Sequence, residues 1–206
     1  MARDRGSIVK MSRREGYALH PKAHKALVKR SAMPGQSNTG RPNRNKASQY
    51  SLQLREKQKV KRLYGLLERQ FSKLMAEASR KRGQTGERLL QMLEQRADNG
   101  VYRAGLAPSR RAARQLVTHG HLTLNGRRVD IPSIRLVAGD VLAVREQSKK
   151  TEYFKHLDDV SPAPSSLPGW LKADRKKLVI TVTGLPTREE AEPDINEQLI
   201  VEYYSR

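Results

Sequence analysis

The stretch Ser109-Arg-Arg-Ala-Ala-Arg-Gln-Leu-Val-Thr-His-Gly-His-Leu-Thr-Leu-Asn-Gly-Arg-Arg128 predicts a short helix followed by a β-hairpin. Its leading serine is a favourable N-cap. Ala113, Leu116 and Val117 then recur at the spacing that gives a helix one apolar face. Gly120 is a typical residue at the end of a helix, so we expect the helix to stop there.

The second half of the stretch alternates as a strand does. Leu122 and Leu124 are separated by a polar residue, and Asn125-Gly126 is the strongest short-range hairpin signal in a sequence. Val129 and Ile131 resume the alternation after the turn. The sequence therefore predicts a helix packed on a small antiparallel sheet.

Arginines are concentrated on both halves of the stretch. Arg110, Arg111 and Arg114 fall within five residues of the helix, and Arg127 and Arg128 follow the turn. No acidic residue is near the three helix arginines in the sequence, so we expect them to lack acidic partners. Since a guanidinium can bind two phosphate oxygens at once, the cluster is typical of a phosphate-binding surface. A solvated charged face is the alternative.

The whole chain is strongly basic. Its 206 residues include 41 Lys and Arg against 21 Asp and Glu, a formal net charge of +20, and only 36% of residues are hydrophobic. This balance favours a polyanionic partner, most commonly nucleic acid. A membrane surface would need a large apolar face opposite the charge. No basic segment has such a face, so we expect no membrane partner.

The sequence contains no cysteine, which excludes disulfides and thiolate metal sites and is typical of a reducing compartment. The first residues lack the apolar core of a signal peptide, and no run of apolar residues is long enough to span a bilayer. We therefore expect a soluble, cytoplasmic protein that holds no metal and no cofactor.

Composition and periodicity divide the chain into four segments and predict an α+β fold. We expect a basic N-terminal arm at residues 1–46, a helical domain at 47–93, the helix-and-hairpin module at 94–150, and an acidic region at 151–206. Residues 1–62 hold 17 Lys or Arg against 3 Asp or Glu, whereas residues 151–206 hold 7 against 10. Because the arm is too polar to form a core alone, we expect it to be extended and to become ordered on RNA.

Apolar periodicity predicts further helices and strands. A stripe that includes Leu63 and Phe71 predicts one long helix or a close pair between residues 48 and 78, and another helix begins near Glu87. Residues 134–144 are typical of further short strands, and residues 178–183 form the clearest strand. Asp194 and Glu197 have the spacing of a capping box before a final helix.

The pattern Arg110-x-x-Ala113-Arg114-x-Leu116-Val117, with the later Asn125-Gly126, resembles the RNA-binding module named after bacterial small-ribosomal-subunit protein four. Further stretches resemble the bacterial small-ribosomal-subunit protein four family over nearly the whole chain, in a cysteine-free form. They include Arg13-Arg14-Glu15-Gly16, Leu54-Arg55-Glu56-Lys57-Gln58-Lys59, Tyr64-Gly65-Leu66-Leu67-Glu68-Arg69-Gln70-Phe71 and the ending from Ile195 to Arg206. The chain departs from the family at Ala97, where a leucine is usual, and in lacking a cysteine metal knuckle.

The resemblance implies a structural constituent of the small ribosomal subunit that binds small-subunit ribosomal RNA directly and early in assembly. It implies further partners: messenger RNA along its path into the ribosome, lined by Arg41, Arg44 and Lys46, and ribosomal proteins five and three of the small subunit. A contribution to decoding accuracy is also implied. The candidate RNA-binding residues are Arg3, Arg13, Arg14, Arg41, Arg44, Lys46, Arg55, Lys57, Lys59, Arg62, Arg110, Arg111, Arg114, His119, His121, Asn125, Arg127 and Arg128.

No catalytic motif accompanies these residues. The sequence has no phosphate-binding glycine loop, no zinc-protease helix motif and no nucleophile elbow, so we expect no enzyme activity. Two alternatives remain, because the same module occurs in other proteins. An RNA-modifying enzyme would need a large apolar catalytic domain beside the module. A free-standing RNA chaperone for ribosomal particles would need no such domain.

Overall fold

The structure is a computed structural model that describes residues 6–30, 32–35, 48–164 and 166–205. Its contacts divide the chain into two compact units. The first unit comprises Met1–Gly86 with Asp194–Arg206, and the second comprises Glu87–Pro193. The final helix therefore groups with the helical segment, although the charge balance predicted a separate acidic region at residues 151–206.

The described residues form eleven helices and five strands. The helices are α1 Ile8–Glu15, α2 Pro21–Lys29, α3 Gln49–Leu63, α4 Glu68–Arg80, α5 Thr85–Glu94, α6 Ala97–Arg103, α7 Arg110–Thr118, α8 Glu146–Lys149, α9 Glu152–Lys155, α10 Leu157–Val160 and α11 Glu197–Tyr204. The strands are β1 Leu122–Leu124, β2 Arg127–Val129, β3 Val141–Val144, β4 Leu171–Asp174 and β5 Val179–Val182. In the described part of the chain, no helix has the length and apolar character needed to cross a bilayer.

Helices α1 and α2 lie in the segment that was expected to be extended, and the structure corrects that expectation for their residues. The buried Ser12 hydroxyl accepts a hydrogen bond from the Leu19 N–H at 3.3 Å, which ties α1 to the chain that follows it. His20 caps α2 by accepting from the Lys22 N–H at 3.1 Å, and Pro21 occupies the first turn. Local capping and contacts between α1, α2 and α3 thus order this part of a very polar segment.

Of the two alternatives predicted between residues 48 and 78, one long helix or a close pair, the structure has the pair, α3 and α4. The chain turns between them at Gly65, whose φ of +63° is accessible to glycine without strain. Val60 on α3 and Phe71 on α4 are fully buried. The predicted final helix is also confirmed as α11, but its N-cap is Asn196, whose side chain accepts from the Gln198 N–H at 3.2 Å.

The second unit is built on an antiparallel sheet in the order β2-β1-β3-β5-β4, and the predicted α+β fold is confirmed. The predicted hairpin joins β1 to β2, with Leu122 opposite Val129. Asn125 and Gly126 at its turn have φ values of +50° and +81°, as a two-residue hairpin turn requires. One face of the sheet and the apolar face of α7 share a core of buried side chains: Ala113, Leu116, Val117, Leu122, Val129, Leu142, Val144, Ile180 and Val182.

Three details of the sheet differ from the sequence analysis. Ile131 lies outside β2 and is 49% exposed, because Pro132 follows it and has no N–H to donate to a ladder. Residues 134–136 form only an isolated bridge, between Arg96 and Arg135, instead of a strand. Strand β4 was missed, since its sequence Leu-Lys-Ala-Asp has only two apolar residues and becomes a strand by pairing with β5.

Ile180 lies at the centre of the sheet core with no exposed surface, so we expect Ile180→Ala to lower the free energy of unfolding by about 2–5 kcal/mol. Ile131→Ala removes the same atoms from an exposed site and is expected to change it by less than about 0.5 kcal/mol. Urea unfolding followed by the fluorescence of Trp170, the one tryptophan of the sequence, reports on this unit. Equal losses in the two variants would contradict the assigned core.

Candidate nucleic-acid interface

Helix α7 is oriented by its cap and its apolar face. The Ser109 side chain accepts a hydrogen bond from the Ala112 N–H at 3.2 Å, as the sequence predicted. Because Ala113, Leu116 and Val117 are buried, the opposite side of the helix faces solvent. Arg111 is on that exposed side. Arg110 and Arg114 lie between the two sides and are only partly exposed.

Arg114 is held by a buried carboxylate. Arg96 donates two hydrogen bonds to the Asp98 carboxylate, both at 3.0 Å, and Arg114 donates to Asp98 Oδ2 at 2.7 Å. Arg96 and Asp98 are 6% and 4% exposed, so this ion pair lies in the interior. Ala97, at which the chain departs from the family pattern, is fully buried between them. Asp98 therefore fixes Arg114 against α6.

Arg110 is held in the same way by two other side chains. Its Nε donates to Asn99 Oδ1 at 2.9 Å, and its Nη2 lies 2.7 Å from Glu192 Oε1. Glu192 also pairs with Arg103 at 3.4 Å. The expectation that the helix arginines lack acidic partners is thus wrong for Arg110 and Arg114. Folding brings Glu192 to the helix from 82 positions further along the chain, a pairing that sequence proximity could not show.

The arginines of the hairpin turn lie near the C-terminal end of α7. Arg127 and Arg128 are exposed on the edge strand β2. The Arg128 guanidinium lies over Gly120, where a Cβ would come within 2.5 Å of Arg128 Nε. Arg145, which the sequence analysis missed, donates from Nη1 to the Gly120 carbonyl at 3.2 Å. The signal for Arg145 is the strand register, because Leu122 pairs with Val144 and so places Arg145 beside His121.

His119 and His121 flank this glycine but differ in exposure. His119 is exposed, whereas His121 is half-buried with Nδ1 3.0 Å from Ser148 Oγ and its ring edge against Phe154. Burial, helped by the neighbouring His119 and Arg145, lowers the pKa of His121. His121 is therefore a packing residue that stays neutral at neutral pH.

Asn125 also has an internal role. Its Nδ2 donates to Asp140 Oδ1 at 2.8 Å, and its Oδ1 accepts from the Val141 N–H at 2.9 Å. These bonds close the hairpin turn on the start of β3. The side chain is engaged in shaping the turn that presents Arg127 and Arg128.

The four candidate cations of α3 are engaged within the first unit. Arg55 and Arg62 both pair with Glu15, whose side chain is fully buried. Lys57 is 3% exposed, lies 2.7 Å from Glu68 Oε1 and covers the Tyr203 ring at 4.5 Å. Lys59 pairs with Glu56 at 3.0 Å. Arg55, Arg62 and Lys57 thus lie in contacts that join α3 to α1, α4 and α11, whereas the Lys59–Glu56 pair lies within α3.

Glu68 accepts hydrogen bonds from side chains of both α3 and α11. Lys57, Lys61 and the Tyr204 hydroxyl all donate to its carboxylate, at 2.7, 2.9 and 2.9 Å. Although burial alone would raise the pKa of Glu68, these hydrogen bonds outweigh it and lower the pKa to about 2. The Tyr204 pKa is raised by burial and by the neighbouring Glu68 carboxylate. The ionised glutamate therefore ties α11 to α3 and α4.

Of the N-terminal candidates, the structure describes Arg13 and Arg14. Arg13 donates from Nε and Nη2 to the Ala32 carbonyl at 3.0 and 2.8 Å, and Arg14 is exposed. Arg3, Arg41, Arg44 and Lys46 lie outside the described residues. Among the residues that the structure does describe, no group of three or more His, Asp or Glu side chains is placed to hold a metal ion.

Comparison with known proteins agrees with this architecture. Residues 3–94 match the family described as ribosomal protein S4/S9 N-terminal domain, and residues 95–142 match the S4 domain. The chain is 51% identical to small ribosomal subunit protein uS4 of Chloroflexus aurantiacus and 49% identical to that of Clostridioides difficile, with all of both chains covered in each case. The chain belongs to the uS4 family. The resemblance read from the sequence motifs is thereby confirmed.

The uS4 relatives are named as ribosomal proteins and not as enzymes. The match covers the whole of this chain and the whole of each relative. The alternative of an RNA-modifying enzyme that carries the same module is therefore not supported. The residues that match the S4 domain, 95–142, include α7, the hairpin and Arg110, Arg111, Arg114, Arg127 and Arg128.

Asp98 is the partner of two arginines, so its removal leaves buried cations without a counter-charge. We expect Asp98→Ala to lower the free energy of unfolding of the second unit by about 3–5 kcal/mol. Asp130→Ala, at an exposed position just after β2, is the matched control and is expected to cost less than about 0.5 kcal/mol. Urea titration of Trp170 fluorescence measures both. If the two variants unfold at the same urea concentration, Asp98 does not hold these arginines.

The low pKa of Glu68 predicts a pH-dependent stability. Its carboxylate is ionised in the folded protein down to a pH of about 2, whereas its ordinary value is 4.5, so its contribution is fully present above pH 4.5 and is lost as the pH falls towards 2. At pH 6 we expect the wild-type chain to unfold at a higher urea concentration than Glu68→Gln. At pH 3 we expect the difference between their unfolding midpoints to be smaller. Circular dichroism at both pH values measures it, with the exposed Glu189→Gln as control. A difference that is independent of pH would contradict this role of the carboxylate.

Proposed function

We propose that this protein is a structural constituent of the small ribosomal subunit that binds small-subunit ribosomal RNA directly, as an early assembly protein. Membership of the uS4 family along the whole chain supports the ribosomal role. The S4 domain and the formal net charge of +20 support binding to RNA. A place in the ribosome also supports a cytoplasmic location.

The main contact is the α7–turn surface, which we define as Arg111, His119, Arg127 and Arg128. The observation that carries it is the approach of the Arg128 guanidinium to Gly120, which joins the exposed end of α7 to the hairpin. The major groove of an RNA helix is too narrow for side chains to reach the bases. Proteins therefore recognise the shape of the RNA backbone and its phosphates instead. Exposed arginines on a helix and a tight turn suit that task, since both elements are rigid.

The paired arginines have a different role in this proposal. Arg110 and Arg114 are anchored to Glu192 and Asp98, so they hold α7 in the orientation that exposes Arg111. Their guanidinium groups can still add positive potential at the edge of the surface. Arg55, Lys57, Lys59 and Arg62 play the corresponding part in the helical unit, through the pairs described above.

Further contacts follow from the family and concern segments at either end of the chain. We propose that Arg3, Arg13 and Arg14 contact ribosomal RNA. Arg41, Arg44 and Lys46 would line the path by which messenger RNA enters the ribosome. The acidic C-terminal region would meet ribosomal protein five, in an interface that affects decoding accuracy, and ribosomal protein three would be a further neighbour. The excess of acidic residues after position 150 supports a protein partner there.

Salt titration of binding to the first domain of small-subunit ribosomal RNA tests the α7–turn surface. Replacing Arg111, Arg127 and Arg128 together by Gln removes three phosphate contacts. The plot of log K against log salt should therefore become less steep, with a slope that is about 2 smaller in magnitude. The matched control replaces Lys155, Lys172 and Lys176 by Gln, which removes the same charge from exposed positions elsewhere. It should leave the slope nearly unchanged.

The same titration with an unrelated structured RNA of equal length tests the ribosomal role itself. We expect the wild-type chain to retain the ribosomal RNA at salt concentrations that release the control RNA. If both RNAs are released together, the net charge alone accounts for binding. In that case the protein does not read a particular RNA fold.

A further inference from the structure

The first compact unit is built from two parts of the chain that are far apart in sequence. It comprises Met1–Gly86 and Asp194–Arg206, and the whole second unit, Glu87–Pro193, lies between them in the sequence. A chain is synthesised from its N-terminus at about 5–20 residues per second, so the intervening residues take roughly 5–20 s to make. Throughout that interval α3 and α4 exist without α11.

Helix α11 supplies part of the interior of this unit. Ile200 on α11 has no exposed surface. Phe71 of α4 is also fully buried, and its ring centroid lies 6.2 Å from that of Tyr204. Lys57 of α3 is only 3% exposed, and its Nζ lies 4.5 Å from the centroid of the Tyr203 ring. Apolar and cationic groups of α3 and α4 are therefore covered by side chains that are synthesised much later.

Specific contacts fix the position of α11 in the unit. The Tyr204 hydroxyl donates to the Glu68 carboxylate at 2.9 Å, so a polar bond accompanies the apolar contact with α4. Near the other end of α11, Glu197 lies against Gly86 so closely that a Cβ at Gly86 would come within 2.6 Å of Glu197 Cγ. Helix α11 thus packs tightly at both ends, as an element of a folded core does.

We propose that α3 and α4 become stably folded only when α11 packs on them, so that the first unit stays open until Asp194–Arg206 has been synthesised. Helices α3 and α4 have 15 and 13 residues. Isolated helices of about that length are only marginally stable in water, so these two depend on packing against other elements. The dependence on α11 concerns the order of folding and goes beyond the proposed function.

This order reverses the usual one, in which the N-terminal part of a chain folds first during synthesis. The contacts of α11 with α3 and α4 join residues that are far apart in the chain, and such contacts form late because a long loop has to be closed first. A chain that has not yet reached Asp194 therefore presents α3 and α4 in an open state, in which proteases can cut them. Only a chain that includes α11 has a closed first unit.

Hydrogen exchange of the full-length chain, measured by mass spectrometry, tests whether α11 opens together with α3 and α4. Ile200→Ala should speed the exchange of amides in α3, α4 and α11 by the same factor, at least about tenfold, and leave the sheet unchanged. Ile180→Ala removes the same atoms from a fully buried site in the second unit and should have the opposite pattern. If Ile200→Ala speeds exchange in α11 alone, α3 and α4 do not depend on α11 and the inference is overturned.

Thiol labelling during synthesis tests the timing. The sequence contains no cysteine, so Val60→Cys places a single thiol at a fully buried position of α3, with a side chain that is also small and apolar. The full-length message is translated in a purified system, and samples receive a short pulse of maleimide-linked polyethylene glycol before the chains are separated by length. We expect the thiol to react in every chain that ends before Asp194 and to be protected in the full-length chain.

Ala76→Cys is the matched control, because Ala76 is exposed on α4 and its thiol should react at every chain length. Protection of the thiol at position 60 in chains that end before Asp194 overturns the inference. A thiol at position 60 that reacts equally fast in unfinished and full-length chains also overturns it. Neither experiment measures RNA binding, so either of these failures leaves the ribosomal role in place.

Discussion

The carboxylate of Asp98 accepts hydrogen bonds from Arg96 on one side and Arg114 on the other, inside a protein that carries twice as many cations as acids. An arginine in the interior requires a carboxylate, because removing its charge from water costs several kcal/mol unless the charge is paired. Asp98 meets this requirement for Arg96 and at the same time anchors α7 to α6. The helix therefore turns Arg111 to solvent, and the geometry of the α7–turn surface depends on a side chain that does not belong to it.

The same principle applies in both units. Glu15, Glu68 and Glu192 each bind two or more cationic side chains, so a few acids engage many of the lysines and arginines that the sequence presents. Among the cations that remain exposed are Arg111 on α7 and Arg127 and Arg128 at the hairpin turn. This pairing reduces the mutual repulsion that the excess of cations would otherwise cause in the folded protein.

Local signals in the sequence predicted the local structure well. The Ser109 cap, the Asn125-Gly126 turn and the strand after Lys177 depend on neighbouring residues, and the structure contains all three. The candidate site was less predictable, because the pairing of Arg110 with Glu192 joins residues far apart in the chain. Composition likewise could not reveal α1 and α2, which a few caps and contacts stabilise within a polar segment. Composition measures the average polarity of a segment, whereas a helix can form when a few specific groups are satisfied.

The proposed α7–turn surface consists of cations in a protein of net charge +20, and such a surface favours a phosphate backbone, which is the same in every RNA. Selectivity for one RNA then has to come from the positions of its phosphates, which the fold of that RNA sets. Within the second unit, Arg114 is bonded to Asp98 and Asn125 is bonded to Asp140, and these bonds fix α7 and the hairpin turn. The buried and turn carboxylates thus determine how the exposed arginines are spaced, although they would not themselves contact the RNA.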